Sequence, residues 1–208
     1  MTTFTEASKG MSRAEEAALV EKARRGDRRA TRVLVDLHKD RLYAFVHRVM
    51  GHHHDSEEVC QEAFLRAFSA LDTFSTQYRF STWLFTIAYR VCLNMLRRRK
   101  TVTTELEFNA LGSVDDGPEE QLAESEAARE ARHAVWEAVD GLTTPQKAAV
   151  LLFYRQDQNC QEIAEIMQVP VATVKSHLHR ARARLKDLLA EKFGQDAAAS
   201  GRMRIAAG

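Results

Sequence analysis

Apolar residues recur every three to four positions along most of this chain, which is the period of an amphipathic α-helix. Capping residues and glycines divide the pattern into segments. Ser12 followed by Glu15 is a capping-box pattern, and the helix that it starts should end at Gly26. Asp27 can cap a second helix, whose apolar positions keep the helical period up to Gly51. The apolar positions of this second helix are Val33, Leu34, Leu37, Leu42, Phe45, Val46 and Val49.

Two further helices are expected before residue 100. Asp55 and Glu58 repeat the capping pattern and open a third helix, which a polar loop at residues 75–79 follows. Ser81 can cap a fourth helix, which ends in a basic run at residues 97–100, where cations suit the negative end of the helix dipole. The inward positions are Val59, Ala63, Phe64, Ala67, Phe68 and Leu71 in the third helix, and Leu84, Ile87, Ala88, Val91, Cys92 and Met95 in the fourth.

The last third of the chain predicts four more helices. One covers about residues 131–139, and a second starts at Thr144. Asn159 then caps a short helix, residues 168–170 turn the chain, and a last helix runs over about residues 171–192. A short helix, a tight turn and a longer basic helix are the pattern of a helix-turn-helix.

Glycine and proline are scarce, with 9 and 3 residues among 208, whereas folds built from many tight turns need more of both. Together with the periodicity, this scarcity predicts an all-α protein of two small helical domains joined by an acidic flexible linker. The expected divisions are an N-terminal tail (1–14), a first domain (15–100), the linker (101–130), a second domain with the helix-turn-helix (131–192) and a disordered C-terminal tail (193–208).

The formal net charge of +1 conceals an uneven distribution of charge along the chain. Residues 1–100 carry +6 and residues 131–208 carry +3, whereas residues 101–130 carry −8. The acidic stretch has few large apolar residues and cannot build a core, which is why we interpret it as a linker. Two basic modules are compatible with nucleic-acid binding, although the total charge alone argues against it.

The last helix carries the clearest candidate site. Residues 171–186 contain five cations and no acidic residue. Val174, Leu178, Ala181, Leu185 and Leu188 form an inward stripe, which directs the cations outward. A basic, solvated helix face is an alternative interpretation, but the capped helix and the turn before it favour DNA contact. The candidate DNA-binding residues are Thr173, Lys175, Ser176, His177, His179, Arg180, Arg182 and Arg184.

Other classes of function find little support. The sequence has no apolar run long enough to span a bilayer and no apolar core of a secretion signal, so we expect a cytoplasmic protein without membrane insertion. Cys60, Cys92 and Cys160 are widely spaced and should be reduced, buried thiols. Residues 52–54, all histidine, are the only hint of a metal site, but consecutive side chains in a turn point apart. No catalytic motif is present, so we expect neither an enzyme nor a cofactor or metal.

Three stretches in this order resemble the extracytoplasmic-function sigma factors of bacterial RNA polymerase. They are DSEEVCQEAF at residues 55–64; FSTWLFTIA at residues 80–88 with LRRR at residues 96–99; and EIA at residues 162–164 with TVKS at 173–176 and RAR at 180–182. The resemblance covers about residues 18–192. It implies that the first domain is sigma domain two and the second is sigma domain four, which binds the −35 element of the promoter.

The resemblance also implies a surface for core RNA polymerase. In this family, the segment similar to residues 55–64 docks on the clamp helices of the largest polymerase subunit. The matching polar positions, which we expect to be exposed, are Asp55, Glu58, Gln61 and Glu62. Without the resemblance, a capping box on an ordinary solvated helix face is the favoured explanation, and the resemblance reverses that preference.

The fourth helix and the loop before it match the part of the family that recognises and opens the −10 element. Opening requires a base to leave the stack, and the loop is the expected place for a pocket that holds it. Trp83 is expected either in the core or at the melted junction. Tyr89, Arg90 and Asn94 depart from the common family residues, which affects the expected −10 sequence preference. The candidate −10 residues are Ser75, Thr76, Gln77, Tyr78, Arg79, Phe80, Trp83, Arg90, Asn94, Arg97 and Arg98.

Two alternatives stay open at this stage. The acidic linker either occupies polymerase channels built for RNA, as the resemblance implies, or only sets the distance between the domains. The chain as a whole could instead be a free-standing transcription regulator, with N-terminal helices that dimerise or sense a ligand.

The resemblance also implies an anti-sigma factor as a further partner. Two turn and helix positions, Gln168 and His177, depart from the common Gly and Arg of the family.

Overall fold

The computed structural model describes residues 11–103 and 126–205, and these ranges are helical apart from short loops. The all-α prediction is confirmed, since no strand occurs in the two ranges. No helix within them is long and apolar enough to cross a membrane. The helices are α1 (Arg13–Arg24), α2 (Arg28–Met50), α3 (His53–Ser69), α4 (Phe80–Thr103), α5 (Glu126–Asp140), α6 (Thr144–Tyr154), α7 (Cys160–Met167) and α8 (Val171–Ile205), with a 3₁₀ turn at Leu71–Thr73.

The first two helices begin and end where the sequence predicts. The Ser12 hydroxyl accepts a hydrogen bond from the Glu15 N–H, and the Glu15 carboxylate accepts one from the Ser12 N–H, at 3.2 and 2.7 Å. Asp27 caps α2 by accepting the N–H groups of Arg29 and Ala30. Gly51 ends α2 in the left-handed region at φ 74°, where the absence of a side chain avoids strain.

Two predicted caps are wrong. Helix α3 starts at His53, so Asp55 lies inside its first turn, where it is buried and forms an ion pair with Arg99. Helix α4 starts at Phe80, which places Ser81 inside the helix and buries it. The reason is tertiary: the N–H of Phe80 donates to the Glu16 carboxylate of α1, so an acidic side chain from another helix satisfies this N-terminus.

Several helices extend past the expected domain limits. Helix α4 continues to Thr103 and α5 begins at Glu126, so both enter the stretch expected to be linker. The rest of that stretch, residues 104–125, lies outside the described residues. Helix α8 continues to Ile205 rather than ending near residue 192, which differs from the expected disordered tail. The extension contains an alanine run at residues 197–199, and alanine has the highest helix propensity.

Helices α1–α4 form the first domain around a core rich in aromatic rings. Phe45 packs on Phe85 with ring centroids 5.3 Å apart. A second group joins Phe74, Phe80 and Trp83, with Phe74 5.9 Å from Phe80 and 5.2 Å from Trp83. Because Phe74 lies at the start of the loop between α3 and α4 and Phe80 ends it, this second group fixes both ends of that loop.

Helices α5–α8 form the second domain. Helices α5, α6 and α7 each pack on α8, which buries Val174, Leu178 and Ala181. Gly141 separates α5 from α6 at a close approach, since a Cβ at this position would lie 3.1 Å from Cδ1 of Leu188. The short loop therefore brings α6 back along α8 and leaves the opposite side of α8 facing solvent.

The two domains contact each other, with α4 packed on α7 and α2 on α6. The Arg41 guanidinium donates to the side-chain and main-chain oxygens of Gln156, both at 2.9 Å. The guanidinium carbon of Arg48 lies 3.7 Å from the ring centroid of Trp136 on α5. These contacts join the apolar cores of the two domains. We call this relative position of the domains the closed arrangement.

Candidate DNA and polymerase interfaces

The helix-turn-helix predicted from the sequence is formed by α7, residues 168–170 and α8. Asn159 caps α7 by accepting two backbone N–H groups, and Glu162 completes the capping box. Gln168 takes up the left-handed conformation at φ 55°, as its position in the turn requires. This conformation turns the chain within three residues, so that α8 leaves the turn beside α7.

The outer face of α8 carries an exposed set of basic residues. Lys175, His179, Arg180 and Arg184 are exposed, and they lie opposite the buried stripe of Val174, Leu178 and Ala181. Thr173, Ser176 and His177 are half-buried. The face is therefore positively charged, free of acidic side chains over residues 171–186, and held by apolar packing on its other side.

Arg182 has a contact within the protein that the sequence does not reveal. Its Nε donates to the Tyr154 hydroxyl at 2.9 Å, and its guanidinium carbon lies 5.8 Å from the ring centroids of both Phe153 and Tyr154. Arg182 therefore joins α8 to the end of α6, which gives it a bracing role beside the exposed cations.

The loop between α3 and α4 presents most of its predicted −10 residues to solvent. Residues 75–79 are all exposed. Phe80 is a correction, since only 1% of it is exposed and its ring packs against Phe74 and Trp83. Trp83 is half-buried at the edge of the same aromatic group, so it belongs to the core and also reaches the surface.

The outer side of α4 carries the remaining predicted −10 residues. Arg90, Asn94, Arg97 and Arg98 are all exposed, at the spacing that places them on adjoining turns. The guanidinium of Arg97 donates to the Asn94 side-chain oxygen at 3.4 Å. The structure therefore brings these four side chains onto one basic surface, which continues from the loop along the helix.

The predicted polymerase surface on α3 is only partly exposed. Glu58 and Gln61 are exposed, whereas Glu62 is half-buried and bonds Arg66 at 2.6 Å. Asp55 is a correction, because it is buried against Arg99 and cannot be a surface contact. Leu65 lies one turn beyond Gln61 and is 65% exposed, which sequence periodicity did not single out.

The carboxylate of Glu16 on α1 is largely buried beside the loop between α3 and α4. Its carboxylate accepts the Phe80 N–H at 3.3 Å and lies 3.1 Å from Nε2 of His38 on α2. Burial raises the pKa of Glu16, but the hydrogen bond and charge of His38, together with the Phe80 N–H and Arg79, outweigh burial. The net effect lowers the pKa below its ordinary value of 4.5.

Replacing Glu16 should therefore change how stability depends on pH. A lowered folded-state pKa contributes stability above the unfolded-state pKa, and this contribution disappears as the pH falls through the folded-state value. We expect Glu16→Gln to be less stable at neutral pH and to lose less stability than the unsubstituted protein on acidification. Urea unfolding between about pH 6 and pH 3 measures this. Glu58→Gln, an exposed carboxylate on α3, is the control, and an unchanged pH dependence in Glu16→Gln would contradict the assignment.

The closed arrangement places the −10 surface against the helix-turn-helix. Tyr78, Trp83 and Thr86 line one side of a groove of about 540 Å³, and Gln168 and Pro170 line the other. Side chains that the sequence assigns to the −10 element thus face the turn of the helix-turn-helix. The groove is open to solvent.

No group of three or more histidine, cysteine, aspartate or glutamate side chains is arranged to hold a metal ion in the described ranges. His53 begins α3 and therefore lies in a helix, whereas the sequence suggested a loop. Its Nδ1 is 2.5 Å from the Tyr43 hydroxyl, and its Nε2 is 3.3 Å from the Glu57 carboxylate. Cys60, Cys92 and Cys160 are free thiols, and burial raises the pKa of Cys60 to about 12.

Two family descriptions match the chain, one in each domain. Sigma-70 region 2 matches residues 34–102, and Sigma-70, region 4 matches residues 132–185. The first match covers α3, α2 from residue 34 onward and all of α4 but its last residue, and the second covers α7, the turn and α8 up to residue 185. Helix α1 lies before the first match.

Curated relatives match about four-fifths of the chain. The ECF RNA polymerase sigma factor SigW of Bacillus subtilis is 30% identical over 181 residues, which cover 82% of this chain and 94% of SigW. The ECF RNA polymerase sigma-E factor of Escherichia coli K12 is 31% identical over 170 residues, which cover 79% of this chain and 88% of the relative.

Solved structures share the fold. CnrH, solved in complex with the cytosolic domain of CnrY, gives a TM-score of 0.61 at 25% identity and covers 84% of this chain and 96% of its own. The sigma factor RpoE of Bartonella quintana, solved with the anti-sigma factor NepR, gives a TM-score of 0.65 at 24% identity. That match covers 76% of this chain and 95% of RpoE.

Proposed function

Because this chain belongs to the extracytoplasmic-function sigma factors of RNA polymerase, we propose that its two domains divide promoter recognition between them. The first domain binds core polymerase through α3 and the −10 element through α4 and the loop before it. The second domain binds the −35 element through α8. The chain acts as a non-catalytic subunit that directs core polymerase to promoters.

The observation that carries the proposal is the outer face of α8. Its exposed cations, Lys175, Arg180 and Arg184, follow a capped short helix and a three-residue turn, and a buried stripe fixes their orientation. In a helix-turn-helix, the first turns of the second helix enter the major groove. Lys175 and Arg180 lie in these turns, where they can contact phosphates and guanine edges.

The −10 role rests on the loop and on α4. A flipped base costs a few kcal/mol of lost stacking, which a pocket and backbone contacts must offset. The exposed loop, residues 75–79, supplies polar side chains and Arg79, and the exposed Arg90, Arg97 and Arg98 of α4 supply cationic contacts to the opened strand. Phe80 supports this surface from below rather than touching DNA.

The polymerase surface that we propose consists of Glu58, Gln61, Glu62 and Leu65. Two carboxylates and one exposed apolar side chain on adjoining turns of α3 complement a partner helix that carries basic and apolar residues. Asp55 supports the surface indirectly, because its ion pair with Arg99 joins α3 to α4.

We propose that the chain also binds an anti-sigma factor. The RpoE structure includes the anti-sigma factor NepR, and the CnrH structure includes the cytosolic domain of CnrY. Our chain shares the two-domain helical fold of both.

The proposal predicts that promoter binding depends on core polymerase. In footprints on genomic promoter fragments, the protein alone should protect little DNA, whereas protein with core polymerase should protect the −10 and −35 elements. The affinity of that complex should fall steeply with salt, with a slope of about 0.9 per phosphate neutralised. A free-standing regulator would instead protect DNA equally well without core polymerase, and that result would overturn the proposal.

A further inference from the structure

We propose that α1 is a positioning element for promoter opening, in which Arg13, Glu16 and Arg24 hold the loop between α3 and α4 in its DNA-binding shape. We call these three residues the clamp and residues 71–80 the −10 loop. The inference rests on the proposed −10 role of this loop. Helix α1 precedes the matched region 2, and nothing in its sequence pattern beyond its capping box distinguishes it from a packing helix.

Arg13 holds the tip of the loop. Its Nη2 donates to the carbonyl oxygen of Thr76 at 3.0 Å and to that of Gln77. Arg13 is itself exposed at the first turn of α1, so burial of its side chain does not explain this position. A single guanidinium therefore joins two successive carbonyls within the exposed part of the loop.

Arg24 and Glu16 hold the two ends of the loop. The Arg24 guanidinium donates to the Leu71 carbonyl at 3.1 and 3.3 Å and to the Phe74 carbonyl at 2.9 Å. The Glu16 carboxylate accepts the N–H of Phe80 at the start of α4. Residues 13, 16 and 24 share one face of α1. One helix thus satisfies backbone groups along the whole loop.

The contacts go to backbone atoms, which matters for function. The loop has few bonds of its own, such as Tyr78 N–H to Ser75 carbonyl at 3.1 Å and Gln77 N–H to the Ser75 hydroxyl at 3.3 Å. Since the clamp bonds backbone carbonyls and one backbone N–H, it orders the loop without occupying the exposed side chains of residues 75–79. A loop ordered before binding loses less conformational entropy when it receives a flipped base.

The test separates closed-complex formation from strand opening. Core polymerase is combined with the unsubstituted protein, Arg13→Ala, Arg13→Lys or Arg25→Ala, and opening is followed by permanganate reactivity of −10 thymines. Arg25→Ala is the matched control. It removes the same charge at the C-terminal end of α1, but Arg25 bonds Glu21 rather than the loop. We expect Arg13→Ala to slow opening about tenfold, which corresponds to roughly 1.4 kcal/mol, while duplex affinity and core binding stay unchanged.

Arg13→Lys distinguishes a clamp from a phosphate contact. Lysine keeps the charge but presents no planar fork for two carbonyls, so the clamp predicts that it fails to restore opening. Full restoration by lysine would mean that Arg13 acts on DNA by charge alone and would overturn the proposal. Hydrogen exchange gives a direct structural readout, since the amides of the −10 loop should exchange faster in Arg13→Ala but not in Arg25→Ala.

Two outcomes distinguish a wrong proposed function from a wrong clamp. If the unsubstituted protein supports no opening with core polymerase, the proposed function is wrong. If the unsubstituted protein opens promoters and Arg13→Ala matches it in opening rate and loop exchange, only the clamp is wrong. Thermal unfolding of Arg13→Ala and Arg25→Ala should agree, because both arginines are exposed.

Discussion

A covalent bridge between the two domains should abolish promoter-dependent transcription. The −10 and −35 elements lie about 25 base pairs apart, or roughly 85 Å along B-DNA at about 3.4 Å per pair. In the closed arrangement, Trp83 of the −10 surface and Pro170 beside α8 line the same groove. The two surfaces cannot reach separate elements in this state, so the domains must part before the promoter is bound.

The bridge can be built between positions 41 and 156. In the closed arrangement the Arg41 guanidinium donates to the Gln156 side-chain oxygen across the interface at 2.9 Å. Arg41→Cys and Gln156→Cys, combined with Cys160→Ser, can be joined by a short bis-maleimide. Cys60 should react little near neutral pH, because burial raises its pKa to about 12, and burial also raises the pKa of Cys92.

Transcription should fall in proportion to the fraction of protein that remains unbridged, so nine-tenths bridging gives about a tenfold loss. The same double-cysteine protein capped with a monofunctional maleimide should keep its activity. Equal transcription by bridged and capped protein would show that the closed arrangement is compatible with promoter binding.

Removing the cations of α8 should weaken recognition of the −35 element without affecting core polymerase binding. Lys175 and Arg180 are exposed in the first turns of α8, far from the α3 surface in sequence and on the other domain. Each lost base contact should cost about 1–3 kcal/mol. Each lost phosphate contact should reduce the salt slope by about 0.9. Lys175→Ala and Arg180→Ala should therefore each lower promoter affinity about tenfold.

Lys186→Ala is the matched control for this pair, since it removes an exposed cation from a later turn of the same helix. Promoter affinity of each holoenzyme on duplex fragments, measured by fluorescence anisotropy, tests the prediction. Loss of core binding by Lys175→Ala or Arg180→Ala would contradict the division of labour between the domains.

Local signals predicted the parts of the fold that depend on neighbouring residues. The Ser12 capping box, the Asp27 cap and the helix-turn-helix with its Asn159 cap all rest on bonds within a few positions. The same holds for the exposed faces of α4 and α8, because helical periodicity alone decides which side chains share a side.

The errors come from contacts between distant parts of the chain. Ser81 is not a cap because Glu16, 64 residues before Phe80, accepts the N–H at the start of α4. Arg182 bonds Tyr154, 28 residues earlier. Periodicity within one helix cannot reveal such partners, and the clamp on the −10 loop was missed for the same reason.

The most direct test of the central claim is run-off transcription with purified core polymerase on genomic promoter fragments. We expect that adding this protein yields discrete transcripts that core polymerase alone does not make, with start sites downstream of protected −10 and −35 elements. Absence of any specific transcript, together with footprints made by the protein unaided, would contradict it.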